Sequence, residues 1–151
     1  SHYISLLTAI YKKATASVSL GESTDKFAIE RGVRQGDTIS PNLFNAVLEN
    51  IFRELDWDNQ GINVNGKYLS HLRFADDIIV ISSSVTDLEK IMNELNYESR
   101  KVSLVMNLKK TKYICNGFCT PGDVRLENDK LEAVDEYLYL GQLLIYIHFR
   151  T

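Results

Sequence analysis

Two adjacent aspartates, Asp76 and Asp77, stand between two apolar runs at residues 69–74 and 78–81. Runs of that length and composition read as strands, so the pair falls at a tight turn of an antiparallel hairpin. Side chains alternate faces along a strand, but a turn can bring neighbours toward one cleft. Two like charges so close are costly unless a cation neutralises them. Mg²⁺ takes carboxylate oxygens and keeps positions for water and phosphates. Two such ions about 3.5–4 Å apart can clamp the attacking and leaving oxygens of a phosphoryl transfer. Read alone, the dipeptide is also ordinary turn chemistry, since Asp is common in hairpin turns.

Two further stretches carry chemistry-bearing residues. Gly32, Val33, Arg34, Gln35, Gly36 and Asp37 run into Ser40 and Pro41. Ser is a favoured N-cap and Pro suits the first helical position, so a helix is expected to open there. Glycine lets backbone approach a ligand closely, Arg34 can fork onto a phosphate, and Gln35 can bond a sugar or base edge. The plain alternative is a loop with a cap. Asn107, Leu108, Lys109, Lys110, Thr111 and Lys112 place three lysines within four positions, either for phosphates or as a solvated run.

The remaining pattern frames these motifs. Ile4, Leu7, Ile10 and Tyr11 recur at helical spacing and predict a helix over residues 3–13. Residues 15–33 read as a hairpin around the turn-forming residues 21–25. After Pro41, the residues Leu43, Phe44, Val47, Leu48, Ile51, Phe52 and Leu55 form one apolar stripe. Thr86 to Glu89 reads as a capping box opening a helix with Leu88, Ile91, Met92, Leu95 and Val102 inward. Tyr113, Ile114 and Cys115 suggest a short strand, residues 118–130 a turn-rich segment, and residues 137–144 a strand. Helices interspersed with antiparallel hairpins predict an α+β fold with helices on one face of a sheet.

The 151 residues suit one domain, and 44% hydrophobic with 25% charged residues is ordinary globular composition. A net charge of −3 and a pI near 5.6 argue against a chain that grips a nucleic-acid duplex unaided. Two cysteines, Cys115 and Cys119, are too few for a disulfide framework and point to a reducing compartment. Their C-x-x-x-C spacing has no following His or Cys pair, so free thiols are expected rather than half a zinc site. No apolar run nears the ~20 residues of a membrane span. The chain opens on Ser1 without an initiator Met or a signal pattern and is expected to be a piece of a longer product.

Taken in order, the motifs resemble those of reverse transcriptases of the non-LTR (LINE-type) retrotransposon kind. Residues 32–37 through Ser40 and Pro41 resemble the second conserved palm motif. Phe74, Ala75, Asp76 and Asp77 resemble the aspartate-pair motif. Asn107, Lys110 and Thr111 resemble the N-x-x-K-T that follows, and Tyr139, Leu140 and Gly141 the Y-L-G of the primer-grip hairpin. The resemblance covers nearly the whole chain.

That resemblance implies a partial polymerase palm, with fingers and thumb incomplete, over residues 1–144, and the cut start of a following region over residues 145–151. It implies RNA-directed DNA synthesis: a primer 3′-hydroxyl attacks the α-phosphate of a dNTP on an RNA template, with Mg²⁺, or Mn²⁺ in its place. Asp76 would be the stronger metal ligand and Asp77 a secondary one. Phe74 and Ala75 would floor the site beside the primer terminus, and Arg34, Gln35 and Gly36 would line the nucleotide and template pocket. Lys110 would lie near the triphosphate, and Tyr139, Leu140 and Gly141 would hold the primer. The partners implied are RNA template, DNA primer, dNTP and the rest of a retrotransposon polyprotein, inside the cell and without a membrane.

Departures from the family pattern are Thr38 for Pro, Ile39 for Leu, and Ser103 for a Gly. The family's first palm motif supplies another metal-binding Asp on a strand preceding the first helix, and this chain starts after that point. The isolated chain is therefore expected to be inactive or nearly so. Two other readings compete: a domesticated or pseudogene-derived nonenzymatic module that binds nucleic acid or protein, and an unrelated α+β binding domain.

Overall fold

The computed structural model describes residues 2–120 and 122–145. The segment expected to open a following region lies, beyond residue 145, outside the described residues. The fold is α+β, with three helices and short strands paired two by two in seven ladders among the described residues. The chain divides into two compact units, residues 1–40 and 41–151.

In the first unit, α1 spans His2–Tyr11, two residues short of the expected end. It buries none of its residues, and Ile4, expected on its packed stripe, is 64% exposed. The expected hairpin is present but broken in two. Strands β1 (Thr15–Ala16) and β4 (Phe27–Ala28) pair antiparallel, and Ile29 N donating to Ala14 O at 2.8 Å extends the ladder. At the tip, β2 (Ser19–Leu20) and β3 (Glu22–Ser23) pair around Gly21, whose φ of 93° suits glycine. Between the ladders, Thr24 Oγ1 accepts from Val18 N at 2.9 Å, diverting a backbone donor to a side chain.

The second unit holds the core. Helix α2 spans Ser40–Arg53 and α3 spans Val85–Lys101. Leu48 and Ile51 of α2 pack with Trp57 and with Ile91 and Leu95 of α3. Met92, on a neighbouring stripe of α3, packs with Tyr113, Val124, Leu126 and Leu131. Helix α3 thus lies between two apolar clusters, and Ile91 is wholly buried. Full burial of such a side chain is worth about 1.5–3 kcal/mol. Within the expected α2 stripe, Val47 is 39% exposed, at the margin of the buried face. Trp57, not foreseen as core, is buried because its Nε1 donates to Glu94 Oε2 at 3.1 Å, which satisfies its polar end.

Caps correct the expected boundaries. Helix α3 starts at Val85 with Ser84 as N-cap, two residues before the expected box: Ser84 Oγ accepts from Asp87 N at 3.0 Å. Ser40 does not cap α2 as expected. Its hydroxyl instead donates to Arg34 O at 2.5 Å, and Asp37 Oδ1 accepts from Ile39 N at 3.1 Å. Helix α3 ends in a Schellman closure: Ser103 N donates to Arg100 O and Leu104 N to Ser99 O, each at 3.0 Å. Val102, expected inward, is the C-cap and is 41% exposed.

The other strands of the second unit are β5 (Ile62–Val64), β6 (Lys67–Leu69), β7 (His71–Phe74) and β8 (Asp77–Val80). There follow β9 (Lys112–Tyr113), β10 (Arg125–Leu126), β11 (Asp129–Lys130), β12 (Glu132–Ala133), β13 (Glu136–Tyr139) and β14 (Gln142–Ile145). Consecutive strands form hairpins, apart from a parallel pairing of β12 with β9. The expected single sheet is therefore not drawn together among the described residues. The four hairpin ladders of this unit, two to four residues long, close on two-residue turns and leave little length for a third strand. Residues 137–144, expected as one strand, are two, because Leu140 (φ 48°) and Gly141 (φ 78°) make a two-residue turn. Residues 118–130 likewise contain β10 and β11. No helix among the described residues is long and apolar enough to cross a membrane.

Candidate active site

Phe74 pairs with Asp77 across the hairpin, so Ala75 and Asp76 alone form its turn. Asp77 is the first residue of β8, not a turn residue as expected. Directly opposed residues project to the same side of an antiparallel pair. Phe74 and Asp77 therefore share the outer face with Leu72 and Ile79, while Arg73 and His71 share the inner face with Ile78 and Val80. The burial agrees: Ile78 and Val80 pack against the core, whereas Phe74 is 64% exposed. Both aspartates are exposed. Ala75 takes φ 54°, a left-handed conformation that costs a residue with a Cβ about 1–2 kcal/mol. Such strain gathers at functional turns, and a small residue bears it most easily.

The inner face explains how this turn is held. Arg73 lies 4.2 Å over the Phe52 ring and donates to Glu49 Oε2 at 3.1 Å, tying β7 to α2. The Arg73 guanidinium, by hydrogen bond and charge, holds the Glu49 carboxyl below its usual range. His71 stacks on Phe52 at 4.5 Å and meets the Trp57 ring at 5.7 Å. Burial, with help from the Arg73 charge and against Glu49, pushes the His71 imidazole below its ordinary value. Glu49 and His71 escaped the sequence reading. Their only trace there is the alternation that puts His71 and Arg73 on the same face as Ile78 and Val80.

Two further motifs adjoin the aspartate hairpin. Tyr139 OH donates to Asp77 O and Tyr137 OH to Lys110 O, each at 3.4 Å. Strand β13 thus bridges the aspartate strand and the lysine turn through alternate residues. Leu140 and Gly141 are the exposed tip of its hairpin. The lysine turn is built by Asn107, whose carbonyl accepts from Thr111 N and Thr111 Oγ1, each at 2.9 Å. Asn107 Oδ1 also accepts from Lys110 N at 3.3 Å. Lys112 is ion-paired with Glu132. The Lys109 and Lys110 side chains are exposed and without an ion-pair partner among the described residues.

The motif at residues 32–41 belongs to the first unit. Asp37 N donates to Arg34 O at 3.3 Å, closing a turn with Gln35 and Gly36 at its centre. Gly36 has φ 85°, the conformation a type II turn requires at its third position. Arg34, Gln35 and Gly36 are exposed. Beside them, Tyr11, Ala14, Ile29 and residues 30–34 line a cavity of about 160 Å³. The Tyr11 hydroxyl is buried without a hydrogen-bond partner.

For a metal ion, the aspartate hairpin offers two exposed carboxylates next to each other. That suits one Mg²⁺, which takes one or two protein carboxylates and completes its shell with water and phosphate oxygens. No cluster of three or more His, Cys, Asp or Glu able to hold a metal occurs among the described residues.

The aspartate hairpin, with its strained tip, is thus joined through β13 to the lysine turn. The family model for reverse transcriptase (RNA-dependent DNA polymerase) matches residues 2–144. The chain belongs to the reverse transcriptase family. It is 38% identical over 85 residues to a transposon-derived protein of Caenorhabditis elegans, covering 54% of this chain and 30% of that one. It is 32% identical over 139 residues to a retrovirus-related Pol polyprotein from a type-1 retrotransposable element of Popillia japonica, covering 84% and 19%. A Pol polyprotein from a type-2 element of Drosophila melanogaster is 31% identical over 132 residues, covering 80% and 12%. The chain thus spans less than a third of these relatives, and the two Pol polyproteins come from R2 elements, in keeping with the non-LTR kind that the motifs resemble.

Proposed function

We propose that this chain is the aspartate-bearing part of an RNA-directed DNA polymerase palm, which adds dNTPs to a primer 3′-hydroxyl on an RNA template. The observation that carries the reading is the junction in the second unit, where Tyr139 and Tyr137 tie the aspartate hairpin and the lysine turn to one strand. Family membership supports it. Asp76, on the turn, is the principal ligand of a catalytic Mg²⁺ or Mn²⁺, and Asp77 the second. Bound there, the ion would polarise a phosphoryl oxygen and neutralise developing charge. Phe74 and Ala75 form the floor beside the aspartates, and Lys110 is a cation available to a triphosphate. Tyr139, Leu140 and Gly141 hold the primer. Arg34, Gln35 and Gly36 present the nucleotide and template contacts of the first unit.

Phosphoryl transfer depends on fixed placement and charge neutralisation more than on covalent chemistry. Two neighbouring carboxylates of one hairpin do not by themselves fix two metals, so the isolated chain is inactive or nearly so. The reading is tested by metal-dependent extension of a DNA primer on an RNA template. The isolated chain is compared with the chain joined to an upstream segment supplying a strand with a further Asp. Extension by the joined form, abolished by Asp76→Asn, is expected. A folded joined form that never extends, or one indifferent to Asp76→Asn, refutes the proposal.

A further inference from the structure

Two thiols that the polymerase reading leaves unused lie at the neck of one loop. Tyr113, at the end of β9, is anchored on both sides: its carbonyl accepts from Val134 N and its hydroxyl donates to Gly122 O, each at 3.0 Å. Beyond it the chain turns back. Cys119 N donates to Asn116 O at 2.9 Å, and Asn116 Oδ1 accepts from Phe118 N at 3.1 Å. Such a turn brings its first and fourth Cα atoms within about 7 Å, and Cys115 precedes it by one residue. Cys119 sits close enough to perturb the Cys115 thiol, and its own Sγ donates to Thr120 O at 3.4 Å. Both thiols are free and partly buried, and Phe118 at the crown is 92% exposed.

We infer that Cys115 and Cys119 form a redox-active dithiol that closes to an intramolecular disulfide when exposed to a low-molecular-weight disulfide such as oxidised glutathione. Bridged cysteines have Cα atoms about 4.4–6.8 Å apart, and the turn that begins one residue after Cys115 closes the chain on Cys119. The Cys119 thiolate attacks one glutathione sulfur and expels the first glutathione thiolate. Cys115 then gives its proton to solvent, attacks the Cys119 sulfur of the mixed disulfide and expels the second. Two protein thiols are oxidised and one glutathione disulfide is reduced to two glutathiones. Burial, with Cys119 beside it, pushes the Cys115 thiol up to about 11, so Cys115 is left for the ring-closing step. Ring closure then quickens by about tenfold per pH unit above neutrality, following the Cys115 thiolate.

The test incubates the whole chain with glutathione disulfide, quenches it with acid and reads intact mass and remaining thiols, in buffer and in denaturing urea. The expected product in buffer has lost both thiols and two hydrogens and keeps no glutathione. Closure there should be favoured by at least about tenfold over urea, because the fold holds the sulfurs together. Cys115→Ser and Cys119→Ser should each keep one glutathione. Two retained glutathiones, unreacted thiols, chains linked to one another, or equal closure in buffer and urea would overturn the inference.

Discussion

Ser103 shows what a single position can cost. The family resemblance places a glycine there, and the structure gives the reason: it is the residue just past the C-cap of α3, with φ 62°. A glycine adopts that conformation without a Cβ penalty. Ser103→Gly should therefore raise stability by about 1 kcal/mol, read as a higher urea midpoint at unchanged slope. No change, or a loss, would mean that the Schellman closure is not the stable end of α3. His71 supplies a pH dependence. Its pKa is depressed from 6.5, chiefly by burial, so the unfolded chain binds the proton more tightly. The stability concerned is present above pH 6.5 and is lost as pH falls from there through the folded value. Glu49, lowered from 4.5 by Arg73, adds a second loss below pH 4.5. His71→Phe should flatten the upper part of the profile and leave the lower part. A profile unchanged by that substitution would remove His71 as its source.

At the scale of elements, helices were the most legible. The stripe on α2 and the buried face of α3 follow the helical period, and Leu48, Ile51, Ile91, Met92 and Leu95 lie where it puts them. The helix ends were harder to read, because capping depends on which oxygen reaches which amide. Thr86 and Glu89 have the spacing of a box, but the hydroxyl that reaches a free N–H is that of Ser84. Ser84→Ala should cost about 1 kcal/mol and Ile91→Ala about 2–5 kcal/mol. Chemical denaturation checks both, and an Ile91→Ala loss below that of Ser84→Ala would displace Ile91 from the centre of the core. Hairpins were partly legible. Asn65 and Gly66, a favoured hairpin pair, adopt positive φ at both positions. Ala75 and Leu140 carry positive φ that neither residue advertises.

For the whole molecule, the sequence conveyed the family and the α+β class, because four ordered motifs span both units. It did not convey the division at residue 40, which falls where one turn-rich motif runs into a helix. Both apolar clusters are made inside the second unit. Residues 41–151 expressed alone should accordingly keep the cooperative thermal transition of the whole chain, within about 1 kcal/mol. A broad or absent transition would show that the first unit supports that core. The candidate site was legible as residue types and order. Its connections were not, because hydroxyls reaching backbone carbonyls 27 and 62 residues away leave no mark in spacing. Those connections join the motifs of the proposed site, and Mn²⁺-induced broadening of assigned amide resonances in this chain tests the proposal most directly. Amides around Asp76 and Asp77, the Lys110 turn and the tip at Leu140 and Gly141 should broaden together, and Asp76→Asn should abolish the effect. Broadening centred on other acidic residues, or surviving that substitution, would contradict the assignment of this hairpin as the metal-bearing centre of a polymerase palm.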